Sequence, residues 1–481
     1  MEKPINCFPG YQYVWSEKDG KYINLYRGEN LGHGGWVYTK PGIYTNIALL
    51  DAASLHPTSI VMLNKLGKYT DRYADLRKAR VYIKHGDYEA ASKLFDGKLA
   101  KYLTDEKGAE ALSAALKLPL NAFFGISFAG FPNPARDSRD HNNIIALRGA
   151  LFMKTLFDEV ADRGYQIIHV KTDSIKVANA DISIIKFVQE FAKKYGYEME
   201  HEATYDRICL VDKAQYVASY TSPEKCVEMY GYSPKDNIKH FKKHTHPWTT
   251  TGDKFQHPYL FKTLFSGDPI SFEDQCELKT VQNAAIYLDM NEGLPDVSLY
   301  EKELTKRKSD GKISESFIDV SNEELEKWIS EGHNYQFIGR TGRFVPIKPG
   351  CGGGLLLALR NGKYDSVNGT KDYRWLEAEV VQSLHMENKI DKEFFNNDIS
   401  KAIASINEYG DFDRFIDTSV PYECAPKVDD ENTRDDDPPF DLVPCGDNKY
   451  HTCLDCPECK GDVCKKGYSL NSFIERGGEE V

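Results

Sequence analysis

Three features are missing from the 481-residue sequence, and each absence excludes a class of protein. No apolar run approaches the roughly 20 residues of a membrane-spanning helix. The opening stretch MEKPINCFPG lacks the apolar segment of a secretory signal. The 11 cysteines are odd in number, which argues against a framework of disulfides. We therefore expect a cytoplasmic protein with no membrane partner.

Positive charge is scarce relative to negative charge. Lys and Arg number 61 against 73 Asp and Glu, so the net charge is −12. Taken globally, this balance argues against binding to nucleic acid, but charge acts locally and clefts focus it. Part of the acidic excess lies in 428–441, VDDENTRDDDPPFD, a pattern typical of a solvated linker. The rest of the chain can therefore still present a basic groove.

The apolar residues that are present follow the periods of both helices and strands. A run at 47–55 predicts a buried strand that contains Asp51. Two helices follow, one over 70–86 with Thr70 as its cap and one over 109–124, and we predict that they form an antiparallel pair. The first of them carries Arg77, Arg80 and Lys84 at i, i+3 and i+7, which forms a basic stripe.

A hairpin and further strands complete the legible part of the chain. Two short strands, 165–170 and 174–177, flank a turn, and a helix over 181–196 follows with Asp181 as its cap. More strands extend to about residue 219. This order predicts an α+β fold in which an antiparallel sheet has helices on one face.

Three polar stretches are candidates for a functional site. LDAASLHPTSI places Asp51 at the end of a strand, and HVKTDSIKV places Asp173 in a hairpin turn. KLPLNAFFG places Lys117, Asn121 and Phe124 on one helical face. Taken singly, each stretch is weak evidence, because a strand-end Asp is more often a turn residue and a lone Lys is usually solvated.

Taken together and in order, these stretches resemble the polymerase motifs of family B (alpha-like) DNA polymerases. The family patterns are D-x-x-S-L-Y-P-S, K-x-x-x-N-S-x-Y-G and D-T-D-S, against DAASLHPT from Asp51, KLPLNAFFG from Lys117 and KTDS from Lys171. The stretch 76–80, LRKAR, resembles the basic run of the first fingers helix. The stretch 200–216 resembles the segment that leads into the primer-gripping K-x-x-Y motif. The similarity is to the compact bacteriophage-type members and to their polymerase part only.

The resemblance implies a polymerase right hand with an antiparallel palm sheet and helices, helical fingers and a mixed thumb, followed by a small Cys-rich metal-binding tail. The implied parts are an N-terminal segment with the first part of the palm (1–65), fingers (66–125), palm with the catalytic hairpin (126–220), thumb and DNA-contacting region (221–424), acidic linker (425–444) and Cys-rich tail (445–481).

The implied activity is template-directed addition of dNTPs to a primer 3′ end by two-metal-ion nucleotidyl transfer. Asp51 and Asp173 would hold the two Mg²⁺ ions, with Lys117 as a third catalytic residue. The residues implied at the nucleotide are Arg77, Lys117, Asn121, Phe124, Ser54, Leu55 and His56. Those implied at the DNA are Gly125, Thr172, Lys213 and Tyr216. The partners would be primer–template DNA and dNTPs, with a separate exonuclease or other replication proteins as open candidates.

Two of the departures from the family pattern leave alternatives open. Lys171 replaces the first hairpin Asp, which by resemblance does not bind the metal directly; its ammonium could instead meet the primer phosphate or Glu202. His56 replaces the Tyr whose ring excludes the ribose 2′-hydroxyl. The first departure raises the alternative of a catalytically decayed DNA-binding replication subunit. The second raises that of a primase or RNA-synthesising polymerase.

Family members usually carry an amino-terminal 3′→5′ exonuclease. Only about fifty residues precede Asp51 here, fewer than a domain needs. We therefore expect no exonuclease domain in this chain. A phage origin would place the protein in the cytoplasm of the host cell.

The end of the sequence predicts a metal site. CLDCPECKGDVC supplies thiols with gaps of two, two and four residues, and one more Cys lies upstream. Either Zn²⁺ in a Cys₄ site or a 4Fe-4S cluster fits this spacing. Five thiols compete for four places: Cys445, Cys453, Cys456, Cys459 and Cys464.

Overall fold

The computed structural model describes residues 7–129, 131, 143–289, 335–360 and 363–422, and the backbone of 442–444 and 450–452. Contacts divide the chain into two units, 1–423 and 424–481. In the second unit, Leu442–Pro444 and Tyr450–Thr452 pair as antiparallel strands. The five tail cysteines, and with them the predicted metal site, lie outside the described residues.

Two antiparallel sheets form in the first half of the chain. The smaller sheet contains β1 (Gln12–Ser16), β2 (Lys21–Tyr26) and β3 (Glu29–Asn30). The larger, central sheet contains β4 (Val37–Thr39), β5 (Gly42–Ala52), β6 (Gln166–Lys171), β7 (Ser174–Ala178), β8 (Met199–Leu210), β9 (Tyr216–Tyr220) and β10 (Trp248–Thr251). Its strand order is β10-β9-β8-β5-β7-β6-β4, so segments from distant parts of the sequence become neighbours.

Two smaller sheets form from later strands. One contains β11 (Glu277–Thr280), β14 (Thr341–Ile347) and β17 (Arg374–Glu377). The other contains β12 (Ala285–Asp289), β13 (Tyr335–Gly339), β15 (Leu355–Arg360) and β16 (Lys363–Ser366). They share a hydrophobic core centred on the fully buried Trp375.

The helices lie in groups between these strands. In chain order they are α1 (Leu55–Met62), α2 (Thr70–Lys84), α3 (Tyr88–Lys93), α4 (Glu106–Phe128), α5 (Ile144–Ala161), α6 (Ile182–Lys194), α7 (Pro223–Tyr230), α8 (Lys235–Lys243), α9 (Asp253–Gln256), α10 (Pro258–Phe261), α11 (Ala378–Ser383), α12 (Lys392–Asn407) and α13 (Phe412–Ile416). The predicted pair, α2 and α4, pack together, and the Tyr73 hydroxyl donates to the carbonyl of Leu120 at 2.8 Å. Within the described ranges, none of the helices has the length and apolar character that crossing a bilayer requires.

The two faces of the central sheet have different cores, which confirms the predicted α+β arrangement. Along β5, Ala48 and Leu50 join a core with α5 and α6, whereas Ile47 and Leu49 join a core made of strand residues. This alternation follows from the two-residue period of a strand. It places Asp51 on the face away from α5 and α6, here called the open face.

Three predicted boundaries can be compared with the structure. The strand predicted over 47–55 ends at Ala52, because Ser54 adopts a left-handed φ of 62° and Leu55 begins α1. The predicted cap at Thr70 is wrong: the hydroxyl of Thr70 instead donates to Asn64 at 2.6 Å. The cap at Asp181 is confirmed, since its carboxylate accepts from two backbone N–H groups of the first turn of α6.

Candidate active site

Asp51 and Asp173 are brought together by neighbouring strands. Asp51 on β5 lies opposite Ser174 on β7, and Ser174 directly follows Asp173 in the sequence. The backbone N–H of Ala52 donates to the carbonyl of Asp173 at 2.8 Å. Two carboxylates from distant parts of the sequence therefore lie at one end of the open face.

Backbone contacts hold the turn that contains Asp173. Thr172 has a φ of 59°, and its N–H donates to the carbonyl of Trp36 at 3.1 Å. Gly35 lies against this turn, because a Cβ at that position would come within 2.6 Å of the Thr172 side chain. The Thr172 side chain is half-buried by this packing. Its predicted contact with DNA stays a prediction.

The environment of the two carboxylates disfavours having both of them charged. Burial, followed by the charges of Asp173 and Glu202, raises the pKa of Asp51 to about 8. Burial likewise raises the pKa of Asp173. A cation at this point would relieve both effects. The residues described form no cluster of three or more His, Cys, Asp or Glu with the geometry of a metal site. Mg²⁺, however, often takes only one or two carboxylates besides phosphates and waters, so the pair fits that ion.

The raised pKa of Asp51 gives a testable dependence of stability on pH. A free Asp titrates at about pH 4. Between about pH 4 and pH 8, the Asp51 carboxyl is therefore protonated in the folded metal-free protein but ionised in the unfolded chain. The free energy of unfolding should therefore fall as the pH rises through this window, by at most about 1.4 kcal/mol per pH unit from this group. Urea unfolding of wild-type and Asp51→Asn protein in EDTA should show that the variant loses less stability between pH 5 and pH 8. Parallel curves for the two proteins would contradict the assignment.

Basic residues around this pair are held differently from one another. Lys171 is exposed, and the described residues, Glu202 included, provide no ion-pair partner for it. Glu200 lies opposite Asp51 on β8. Its carboxylate pairs with His85 at 2.8 Å and with Lys84 at 3.7 Å. The C-terminal end of α2 is thereby fixed beside Asp51, a contact that the sequence did not predict.

The basic stripe predicted on α2 lies along the edge of the site. Nη1 of Arg80 donates to the Ser54 hydroxyl at 3.3 Å. The Nε atoms of Arg77 and Arg80 are buried and have no hydrogen-bond acceptor among the described residues. Burial lowers the pKa of both guanidinium groups, and the nearest opposing charge for Arg77 is Glu198. The stripe therefore places positive charge along this edge of the site, where it would attract an anionic ligand.

The α4 residues divide between a packed group and an exposed group. Phe124 stacks on His56 with ring centroids 4.2 Å apart and an interplanar angle of 7°. Lys117, Asn121 and Gly125 are exposed, and a Cβ added to Gly125 would meet no atom within 4 Å. Lys117 forms no ion pair with either Asp51 or Asp173. The helix thus offers an open surface beside His56, and the implied contact of Lys117 with the triphosphate stays a prediction.

The proposed primer-contact residues lie at the β8–β9 turn. Lys213 is exposed, and Tyr216 begins β9. Sequence reasoning missed two residues behind them, His169 and Lys176, both buried on the open face. The alternation of SIKV does place Lys176 on the same face as Ser174, and that pattern is the signal that could have identified it.

Comparison with known proteins gives one distant relative. No protein-family model matches the chain. DNA polymerase 2 of Aeropyrum pernix is 22% identical over 204 residues, which cover 37% of this chain and 25% of that protein. The chain therefore spans about a quarter of the length of this curated relative. Its sequence is distantly similar to that of an archaeal DNA polymerase.

Among solved structures, the family B DNA polymerase from the hyperthermophilic archaeon Pyrobaculum calidifontis aligns with 82% of this chain and 49% of its own. The TM-score is 0.37 and the sequence identity is 12%. At this level the alignment does not by itself establish a common fold.

Proposed function

We propose that the chain is a template-directed DNA polymerase of the family B type that adds dNTPs to a primer 3′ end. The main support is the meeting of Asp51 and Asp173 on adjacent strands, with the basic face of α2 along the same edge. This arrangement joins residues from two of the three motifs found in the sequence. The distant similarity to an archaeal DNA polymerase supports the same class.

Each group has a role in this proposal. When bound, two Mg²⁺ ions would activate the primer hydroxyl and stabilise charge on the triphosphate. Asp51 and Asp173 would hold these ions. Arg77 and Arg80 would bind the triphosphate through their half-buried guanidinium groups, with the exposed Lys117 as a further cation. The His56–Phe124 stack would form one wall of the nucleotide pocket.

The proposal extends to the organisation of the chain. Strands β4–β9 would belong to the palm, α2–α4 to the fingers and residues 221–424 to the thumb and DNA-contacting region, from which β10 adds one strand to the palm sheet. Phage origin, host-cytoplasm location and the lack of an exonuclease in this chain stay predictions. So does the tail metal, which elemental analysis with an absorption spectrum would identify.

Extension of a labelled primer on a defined template tests the proposal. The purified full chain with Mg²⁺ and dNTPs should add the templated nucleotide, and EDTA should stop the reaction. Omitting the one complementary dNTP should stop extension at the corresponding position, which separates templated synthesis from terminal addition. Lack of any extension by a folded chain that binds primer–template would favour the DNA-binding subunit, which the exposed Lys171 beside Asp173 motivates.

The same assay decides the third candidate. His56 replaces the sugar-excluding Tyr of the family pattern, and its ring is held flat against Phe124. The test therefore replaces the dNTPs with ribonucleotides, in reactions with and without a primer. Efficient ribonucleotide incorporation, or synthesis without a primer, would favour a primase or RNA-synthesising polymerase.

A further inference from the structure

A buried polar pair lies beneath the hairpin that contains Asp173. Lys176 on β7 is 4% exposed and His169 on β6 is 1% exposed. The two residues are cross-strand neighbours, with Lys176 Nζ 3.2 Å from His169 Nδ1. Lysine is rarely buried unless it is paired, so the arrangement needs an explanation.

The hydrogen bonds of this pair have a defined direction. An ammonium group can only donate, so Nδ1 of His169 accepts from Lys176. The proton of the neutral imidazole is then on Nε2, which donates to the carbonyl of Lys213 at 3.2 Å. Burial and the charge of Lys176 lower the pKa of His169 to about 3, which keeps the ring neutral. His169 thus links the β6–β7 hairpin to the β8–β9 turn.

Lys176 makes a second contact with the same turn. Its Nζ lies 4.8 Å from the centroid of the Tyr216 ring. The turn itself is tightened by Asp212, whose carboxylate accepts from the N–H groups of Ala214 and Gln215 at 2.7 and 3.0 Å. A rigid turn is therefore docked at both of its ends, Lys213 and Tyr216, on one buried pair.

The charges around Lys176 come from every strand packed against it. Burial and the charge of Lys171 lower the pKa of Lys176 to about 8. Three carboxylates act in the opposite direction: Asp51 on β5, Glu202 on β8 and Asp173 in the hairpin turn. The ammonium therefore interacts both with the candidate metal ligands and with the turn, and it connects the two.

We infer that the His169–Lys176 pair positions the Lys213–Tyr216 turn over the hairpin, and so sets where the primer strand lies relative to Asp51 and Asp173. The inference rests on the proposed function, because it takes that turn as the primer contact. Both residues are positioning residues: neither side chain is exposed enough to touch DNA. Lys213, whose side chain is exposed, would make the phosphate contact.

A purely structural role makes a different prediction. Replacing a buried polar pair by apolar groups is often tolerated or stabilising, and stability alone cannot separate the two roles. The hydrogen bond to the Lys213 carbonyl can separate the two roles. His169→Gln retains an N–H donor for that bond, whereas His169→Leu has none. Lys176→Met removes the ammonium but keeps the bulk of the side chain. Lys186→Met, an exposed lysine on α6, is the matched control.

The experiment measures affinity for primer–template DNA without dNTPs, and the KM for dNTP where extension occurs. We expect His169→Leu and Lys176→Met to weaken primer–template binding about tenfold, roughly the effect of losing one hydrogen bond to a charged or buried group. His169→Gln and Lys186→Met should bind within about twofold of wild type. The KM for dNTP should stay unchanged in the two His169 variants and in Lys186→Met, and affinity for single-stranded template should not fall in any variant.

Three results would overturn the inference. One is wild-type primer–template affinity in folded His169→Leu and Lys176→Met proteins. Another is equal loss in His169→Gln and His169→Leu. The third is a parallel rise in the KM for dNTP in His169→Leu, which would indicate general damage to the site. Failure of the proposed function would give a different result. The wild-type chain would then not extend a primer, while the comparison of primer–template affinity among the variants could still be made.

Discussion

Replacing Asp173 with Asn is expected to reduce the rate of primer extension on the order of 10³-fold, because a metal ion contributes several kcal/mol of charge stabilisation to the transition state. Asn keeps the size of the side chain but not the charge. The carbonyl of Asp173 that accepts from Ala52 is backbone, so the pairing of β5 with β7 should persist. The affinity for primer–template DNA should change little.

Lys171→Ala is the matched variant for this prediction. Lys171 lies on the same hairpin, but its side chain is exposed and has no ion-pair partner among the described residues. Its loss should change the extension rate by less than about tenfold, as expected for an exposed charge near a phosphate. Single-turnover extension at saturating DNA measures both rates. Equal behaviour of the two variants would show that Asp173 is not the metal ligand.

Much of the central sheet could be predicted because its sequence follows a local rule. The two-residue alternation in β5 and β7 assigns each side chain to a face without knowledge of the partner strand. The helix α6 could be predicted for the same reason: its cap, its apolar stripe and the glycine that ends it, Gly196 with φ of 80°, all lie within one short segment.

The end of β5 shows where local rules stop. LDAASL is apolar enough to continue as a strand, yet Ser54 turns the chain into α1. The N–H of Ala53 donates to the carbonyl of Glu198 at 2.8 Å, so this boundary depends on a strand that lies far along the sequence. Propensity cannot encode such a tertiary contact.

The least predictable parts of the site are its long-range contacts. The stacking of Phe124 on His56 depends on how α4 packs against α1, and the bond from His169 to Lys213 depends on how the β8–β9 turn folds over the sheet. Lys117 is exposed on α4, and its implied role at the triphosphate stays a prediction. Motif order thus identified the carboxylates correctly as neighbours but did not fix the positions of the groups around them.

Arg207 is expected to dominate the stability of the junction between β8 and the α13 region. Its side chain is 1% exposed, and its guanidinium donates to four backbone carbonyls between residues 414 and 420. The shortest of these bonds, to Asp417 and Val420, are 2.8 Å, and Nε bonds Asp206 at 3.0 Å. Only a guanidinium has donors enough, in a planar fork, to reach so many acceptors.

Arg207→Ala should therefore lower the free energy of unfolding by about 3–5 kcal/mol, since the carbonyls and Asp206 lose their buried partner. Lys193→Ala is the control, because Lys193 pairs with Glu190 on the exposed surface of α6 and its loss should cost less than about 1 kcal/mol. Urea unfolding measures both values, and hydrogen exchange should locate the loosened segment at 411–422. A change in Arg207→Ala no larger than in the control would mean that packing of Phe415 and Trp248, rather than the guanidinium, holds this segment against β8.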